Sequence, residues 1–171
     1  MKKITFFLLF CLLSKLSYSQ TINFTVSEFQ NLPDTCIIFI SALWCSPCIE
    51  KQNMLEDSLK FHTKIPYFVV YDKMKYTKEK RESLIRNKLK NTDYLLDSKY
   101  YQTGGIISVV SPKKAIKKFY IDLSSQGYSI LKDEDLWFGN CIIKKKNNII
   151  ILKSDKTPEI FVEKILEVYK N

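Results

Sequence analysis

Glycine is scarce in this 171-residue chain, which has four glycines, five prolines, two tryptophans and one histidine. So few breakers exclude a linker-rich or low-complexity chain. The lone histidine, His62, has no partner that would make it a catalytic base; it falls near a helix end, where a protonated ring suits the dipole. Among five cysteines only Cys45 and Cys48 are closely spaced. Zinc needs four ligands, and the remaining candidates, Cys36, Cys141 and His62, are isolated, so no metal is expected. The N-terminal apolar run, residues 4–13, is too short to span a bilayer. No nucleic-acid-binding motif accompanies the net charge of +9, and nucleic acid is not an expected partner.

What the chain does have is 46% hydrophobic and 13% aromatic residues, ample for the packed core of one domain. Residues 1–19 read as a secretory signal peptide and 20–171 as the domain. Lys2 and Lys3 form a basic start, residues 4–13 the apolar stretch, and Ser17-Tyr18-Ser19 a cleavage site. The alternative is an uncleaved anchor recruiting Leu16 and Tyr18, which Lys15 and the serines weaken. Phe10, before Cys11, is not the small residue a lipoprotein site requires. Cleavage removes three lysines and no acid, lowering the charge from +9 to +6. The remaining lysines, including Lys144 to Lys146, read as solvated faces and a hairpin turn. At most they support weak attraction to anionic surfaces or acidic partners. An extracytoplasmic location, either periplasmic or secreted, is expected, with membrane association if the segment stays attached.

The chain is organised around Trp44-Cys45-Ser46-Pro47-Cys48, which ends one apolar run and opens an amphipathic one. A thiol in the first turn of a helix meets unpaired N–H groups and the positive end of the macrodipole, and both favour thiolate. Cys45 is therefore the expected nucleophile. Cys48, one turn further on, is placed to attack a mixed disulfide on Cys45 and release the partner. Pro47 fixes φ near the helix start, and Trp44 shields the exposed sulfur. The residues point to thiol–disulfide exchange, with a zinc site or an inert disulfide staple as the bland alternatives.

With these residues the sequence resembles the thioredoxin superfamily, whose WCxPC signature stands here as Trp44, Cys45, Pro47 and Cys48. Within it the chain looks closest to membrane-associated or periplasmic thiol reductases of the kind that serve cytochrome c maturation. The resemblance implies an α/β, thioredoxin-like fold: a central mixed β-sheet flanked by helices, with an inserted segment before a C-terminal ββα unit. It also implies a redox-active Cys45–Cys48 disulfide supported by Trp44, Ser46 and Pro47, protein thiols and disulfides as partners, and no cofactor. A membrane electron donor or acceptor must complete the cycle, and a monomer is expected. Reductant, oxidant and isomerase stay open. So does a binding or structural module that kept the fold and lost turnover.

Taken in order, residues 22–26 alternate Ile22, Phe24 and Val26 inward as a strand. Ser27 caps a helical turn carrying Phe29 and Leu32. Residues 36–40 form a strand buried on both faces, with Cys36 as core filler. The helix after Cys48 turns Ile49, Met54, Leu55, Leu59 and Phe61 inward. Residues 67–71 form a second core strand, and Thr77 caps a charged helix over 78–90. This βαβα run predicts parallel pairing. Residues 141–143 and 149–152 make a hairpin around a 144–148 turn. Thr157-Pro158-Glu159 then opens a last helix with Ile160, Phe161, Ile165, Leu166 and Val168 inward. Residues 103–138 are the insert on this register. A rival register pairs 106–110 with 116–121 as the hairpin.

Two family features are missing. Asn140 in the favoured register, or Gly105 in the rival one, replaces the cis-proline expected before the hairpin. Six residues before Cys45, where the family carries a buried acid, stands Phe39, leaving Glu50 or water to take the proton. Cys141 is either a buried small residue or a third thiol near Cys45. Cys36 and Cys141, toward opposite ends of neighbouring strands, should not bridge.

Overall fold

The structure, a computed structural model, describes residues 22–61, 64–72, 93–102, 111–130, 138–153 and 157–170. The signal segment with Cys11, His62, the charged helix over 78–90 and the 104–110 stretch lie outside the described residues. That stretch includes the whole first strand of the rival hairpin, 106–110.

The longest strand is β2, Thr35–Ser41, apolar on both faces and buried at six of its seven positions. It can be buried this way because strands flank it on both sides. β3, Tyr67–Tyr71, pairs with it in parallel, and β6, Cys141–Lys145, pairs antiparallel. Outside β3 lie β4, Asp93–Leu96, and then β1, Ile22–Phe24, both parallel. On the other side β7, Asn148–Leu152, closes a hairpin with β6, and the two-residue β5, Ser129–Ile130, adds in parallel at the edge. The result is a mixed seven-stranded sheet in the order β1-β4-β3-β2-β6-β7-β5.

Alternation along β2 divides the core between the two faces. Cys36, Ile38 and Ile40 share one face with Phe24, Val70, Leu96 and Ile142. It is covered by α1, Val26–Asn31, and α3, Pro112–Ser125, through Phe29, Ile116, Phe119 and Leu123. Ile37 and Phe39 share the other with Cys141, Ile143 and Leu152. There α2, Ser46–Lys60, and α4, Pro158–Lys170, contribute Leu55, Leu59, Phe161 and Ile165. The α/β class and the flanked mixed sheet are as expected.

Several local expectations are corrected. β1 stops at Phe24 and the first helix is capped by Thr25, not Ser27: the Thr25 hydroxyl accepts from Glu28 N at 3.3 Å, so Val26 is buried from the first turn of a helix. Phe61 sits at the C-cap of α2, past its inward stripe, and is 88% exposed; Ile160 likewise points outward and Val162 takes its place. Residues 116–121 are helical, which removes the rival register. Ser111 and Pro112 start α3, and Gly127 ends it at φ 86°. Its N–H reaches Ser124 O and that of Tyr128 reaches Leu123 O, the paired C-terminal closure that a glycine permits. The hairpin turn is tighter than expected, Lys146-Asn147, with Lys146 at φ 52°. The described part of the 103–138 insert is no appendage, because α3 supplies a whole covering layer.

Lys144 is the largest departure. Expected in a solvated turn, it is 1% exposed, and its Nζ donates to the carbonyls of Phe29, Gln30 and Leu32 at 3.0, 3.3 and 2.7 Å. A cation there caps the carbonyls at the end of α1 and complements its dipole. β4 was not foreseen, being only four residues long.

Candidate active site

At the C-terminal end of β2 the chain folds over itself within four residues: Cys45 N–H donates to Ala42 O at 2.9 Å. Cys45 is the N-cap of α2 and its carbonyl accepts from Cys48 N at 3.0 Å and Ile49 N at 3.1 Å. Ser46 and Pro47 occupy the first two helical positions, where the missing proline N–H costs nothing. The turn is eased by small Ser41 and Ala42 at and just past the end of β2 and by a proline in the first turn of the helix.

All five expected site residues come together. Cys45 and Cys48 are joined as a disulfide with Cα atoms 5.2 Å apart. Cys45 is half-buried, Cys48 buried, and Ser46 and Pro47 exposed. Trp44 is half-buried, with its ring edge-on to Phe138 at 5.7 Å.

Three residues at the site were missed in the sequence. Asp72, directly after β3, is buried and accepts from Trp44 Nε1 at 2.7 Å and from the Tyr101 hydroxyl, while its own N–H donates to Ser41 O at 2.9 Å. Tyr101 ends a 3-10 turn, Ser98–Tyr101, that follows β4. Phe138 precedes β6. The available signal was topological: an acid closing a strand parallel to the motif strand must emerge at the same sheet end, where sites of open parallel sheets gather. Behind this layer lies a void of about 10 Å³ bounded by Ile40, Asp72, Phe119 and Phe138, about the space of one water, so side chains fill the region.

The helix is tied down behind the disulfide. Gln52 Nε2 donates to the Tyr71 hydroxyl at 2.7 Å and to Glu56 at 2.9 Å, and burial pushes the Tyr71 phenol well above its ordinary value. Phe39 occupies the place six residues before Cys45 and packs edge-on against Phe161 at 6.4 Å, so no acid stands there. Glu50 is exposed. Before β6, Gly139 adopts φ 86° and donates to Ile40 O at 2.7 Å; Asn140 is buried, and its carbonyl accepts from Ile40 N at 3.0 Å. The described residues contain no cis peptide.

The other two thiols stay apart. Cys141 pairs with Phe39 on the face under α2 and α4, whereas Cys45 packs on the opposite cluster, which corrects the reading of Cys141 as a third thiol at the site. Cys36 faces Lys144 across the ladder, and both thiols are free. Burial pushes Cys36 up to about 12, partly offset by the Lys144 charge, and burial also raises Cys141. Burial lowers the Lys144 ammonium. Among the described residues no group of three or more His, Cys, Asp or Glu side chains is arranged to hold a metal ion, and no helix is long and apolar enough to cross a membrane.

No protein-family model matches the chain, and neither the curated proteins nor the solved structures give a match.

Proposed function

We propose that this chain is a thioredoxin-like thiol–disulfide oxidoreductase that exchanges disulfides with partner proteins through Cys45 and Cys48. The observation that carries the reading is the disulfide at the first turn of α2, between a half-buried Cys45 and a buried Cys48. The order of elements supports it: a central strand, the motif helix, a parallel strand, then an antiparallel hairpin and a last helix on the same face as the motif helix. The signal-like N-terminus supports work outside the cytoplasm, where a partner at the membrane supplies or accepts electrons.

In the reducing direction, the Cys45 thiolate attacks one sulfur of a partner disulfide, forming a mixed disulfide and expelling the other partner sulfur as thiolate. Cys48 gives its proton to water and attacks the Cys45 sulfur, leaving the Cys45–Cys48 disulfide and releasing the second partner sulfur as thiolate. Two electrons pass from the pair to the partner, and a membrane-side dithiol restores the reduced pair by the reverse sequence. Oxidation of a partner dithiol is the same path run backward. The thiolate is favoured because Cys45 stands at the N-cap of α2.

A second reading, a binding module without turnover, draws on Phe39 in the acid's place and on Asn140 before β6. Trapping separates the two. Cys48→Ser is expected to accumulate mixed disulfides through Cys45 with envelope proteins, visible as species lost on adding reductant. Their absence in Cys48→Ser, with Cys45 still alkylated by iodoacetamide, contradicts exchange and favours the module.

A further inference from the structure

The helices on the two faces of the sheet differ in charge. α2 and α4 each carry two lysines and three acids, whereas α3 carries four lysines and one acid, and its first seven residues hold all four lysines. That placement works against the helix. Ser111 is the N-cap and Lys114 stands three residues on, where a capping box has Glu; the Ser111 side chain makes no cap bond, and cations in a first turn oppose the macrodipole. Lys114 and Lys117 are exposed, and Ile121, on the same side of the helix one turn further on, is 57% exposed. Asp122, the single acid of α3, is taken by Lys99 at 3.3 Å. The outward face of α3 is thus a set of ammoniums around one aliphatic side chain.

Two observations narrow what such a face fits. The groove beside it, between α3 and the 98–101 turn, is about 190 Å³, smaller than the roughly 300–1,000 Å³ of a site for a drug-sized molecule. All four cations are lysines, compact point charges, and none is an arginine, whose planar fork selects the paired oxygens of a protein carboxylate. A sheet of lipid phosphates needs no fork. We infer that the outward face of α3 docks on an anionic lipid bilayer, with Lys114 and Lys117 against the headgroups and Ile121 in the interface. Docking does not presuppose disulfide exchange. It does set the placement of the pair, because the lipid surface then lies on the side of the sheet on which Cys45 packs.

Sedimentation of the full chain with vesicles tests this. Wild type should partition onto equal parts phosphatidylglycerol and phosphatidylcholine well above phosphatidylcholine alone. Raising salt from about 0.1 M to about 1 M, which shortens screening from ~10 to ~3 Å, should remove the difference. Lys114→Glu with Lys117→Glu should lower the anionic partition at least about tenfold, at about fivefold per lysine near the surface, and Ile121→Ser about threefold. Lys164→Glu with Lys170→Glu makes the same change of charge on α4 and should lower it less than about twofold. Lys114→Glu alone completes the capping box, so it should move urea unfolding about threefold toward the folded state while weakening vesicle binding, a trade that a structural role does not make. A loss confined to the α3 variants supports the inference. Equal losses in the α3 and α4 pairs, no loss in either, or equal wild-type binding to the two lipids, which assigns attachment to the N-terminal apolar run, overturns it. A wild type that binds neither vesicle leaves the face to an acidic protein and overturns it too.

Discussion

Cys36 is the second residue of β2 and Cys45 follows the strand's end, yet the two cysteines live under different physics. Cys36 is sealed between strands beneath α1, where burial holds it neutral and pushes it up to about 12. Cys141, on the neighbouring strand and the other face, is held neutral in the same way. Cys45 and Cys48 lie where the backbone turns into a helix, joined to each other and reachable from solvent on one side. The same side chain is core filler in the middle of the sheet and half of a disulfide at its end. What changes is the supply of unpaired N–H groups and water, both absent from the ladder and present at a helix start. Lys144 makes the same contrast for a cation: inside the sheet it serves backbone carbonyls, while Lys114 and Lys117 on α3 are exposed.

The sharpest way to break this contrast is to exchange the cysteines' fates. Cys45→Ser or Cys48→Ser should abolish the two-electron couple completely, whereas Cys36→Ala and Cys141→Ala should leave its potential unchanged, as read by thiol alkylation and mass spectrometry. Next in size, Phe119→Ala should cost about 3–5 kcal/mol in urea unfolding, because the ring is fully buried between Phe24, Phe29 and Tyr100. The couple should persist in the folded fraction, and a lost couple there would tie the chemistry to the interior after all. Lys144→Met keeps the stem and takes one donor from three carbonyls, of which Phe29 O keeps the Leu32 N–H, for a loss of about 2–3 kcal/mol by the same measurement. A change below about 0.5 kcal/mol would put the cap of α1 elsewhere.

Alkaline stability isolates Cys36. Its folded value of about 12 exceeds the ordinary 9.0, so its contribution is whole below pH 9 and is lost as pH rises toward 12. The stability gap between wild type and Cys36→Ala should therefore shrink above pH 9 by at most about 1.4 kcal/mol per pH unit. Parallel curves would mean that the thiol is not sealed. The smallest effect concerns the first helix: Thr25→Ala should cost about 1 kcal/mol, and Ser27→Ala almost nothing.

Much of this was legible in the sequence. The uninterrupted apolar run over 36–40 announced a strand covered on both faces, and Trp44 through Cys48 announced the turn, because both signals are local. The hairpin and the α4 start were equally local, carried by turn residues and by Thr157-Pro158. Asp72 and Tyr101 were hidden because nothing in their own neighbourhoods marks them; only the parallel order of β2, β3 and β4 brings them beside Trp44. Lys144 misled for the same reason, since a lysine beside a turn is ordinarily solvated and only the docking of α1 over β6 buries it. β4 and β5, at four and two residues, are too short to carry a periodic signal.

The proposed exchange depends most on whether the pair opens and closes. Equilibrating the full chain across a series of reduced to oxidised glutathione ratios, then alkylating and weighing it, tests this directly. The predicted result is one reversible two-electron transition confined to Cys45 and Cys48, with Cys36 and Cys141 unlabelled until the protein is unfolded. A pair that stays closed, or open, across the whole series contradicts it.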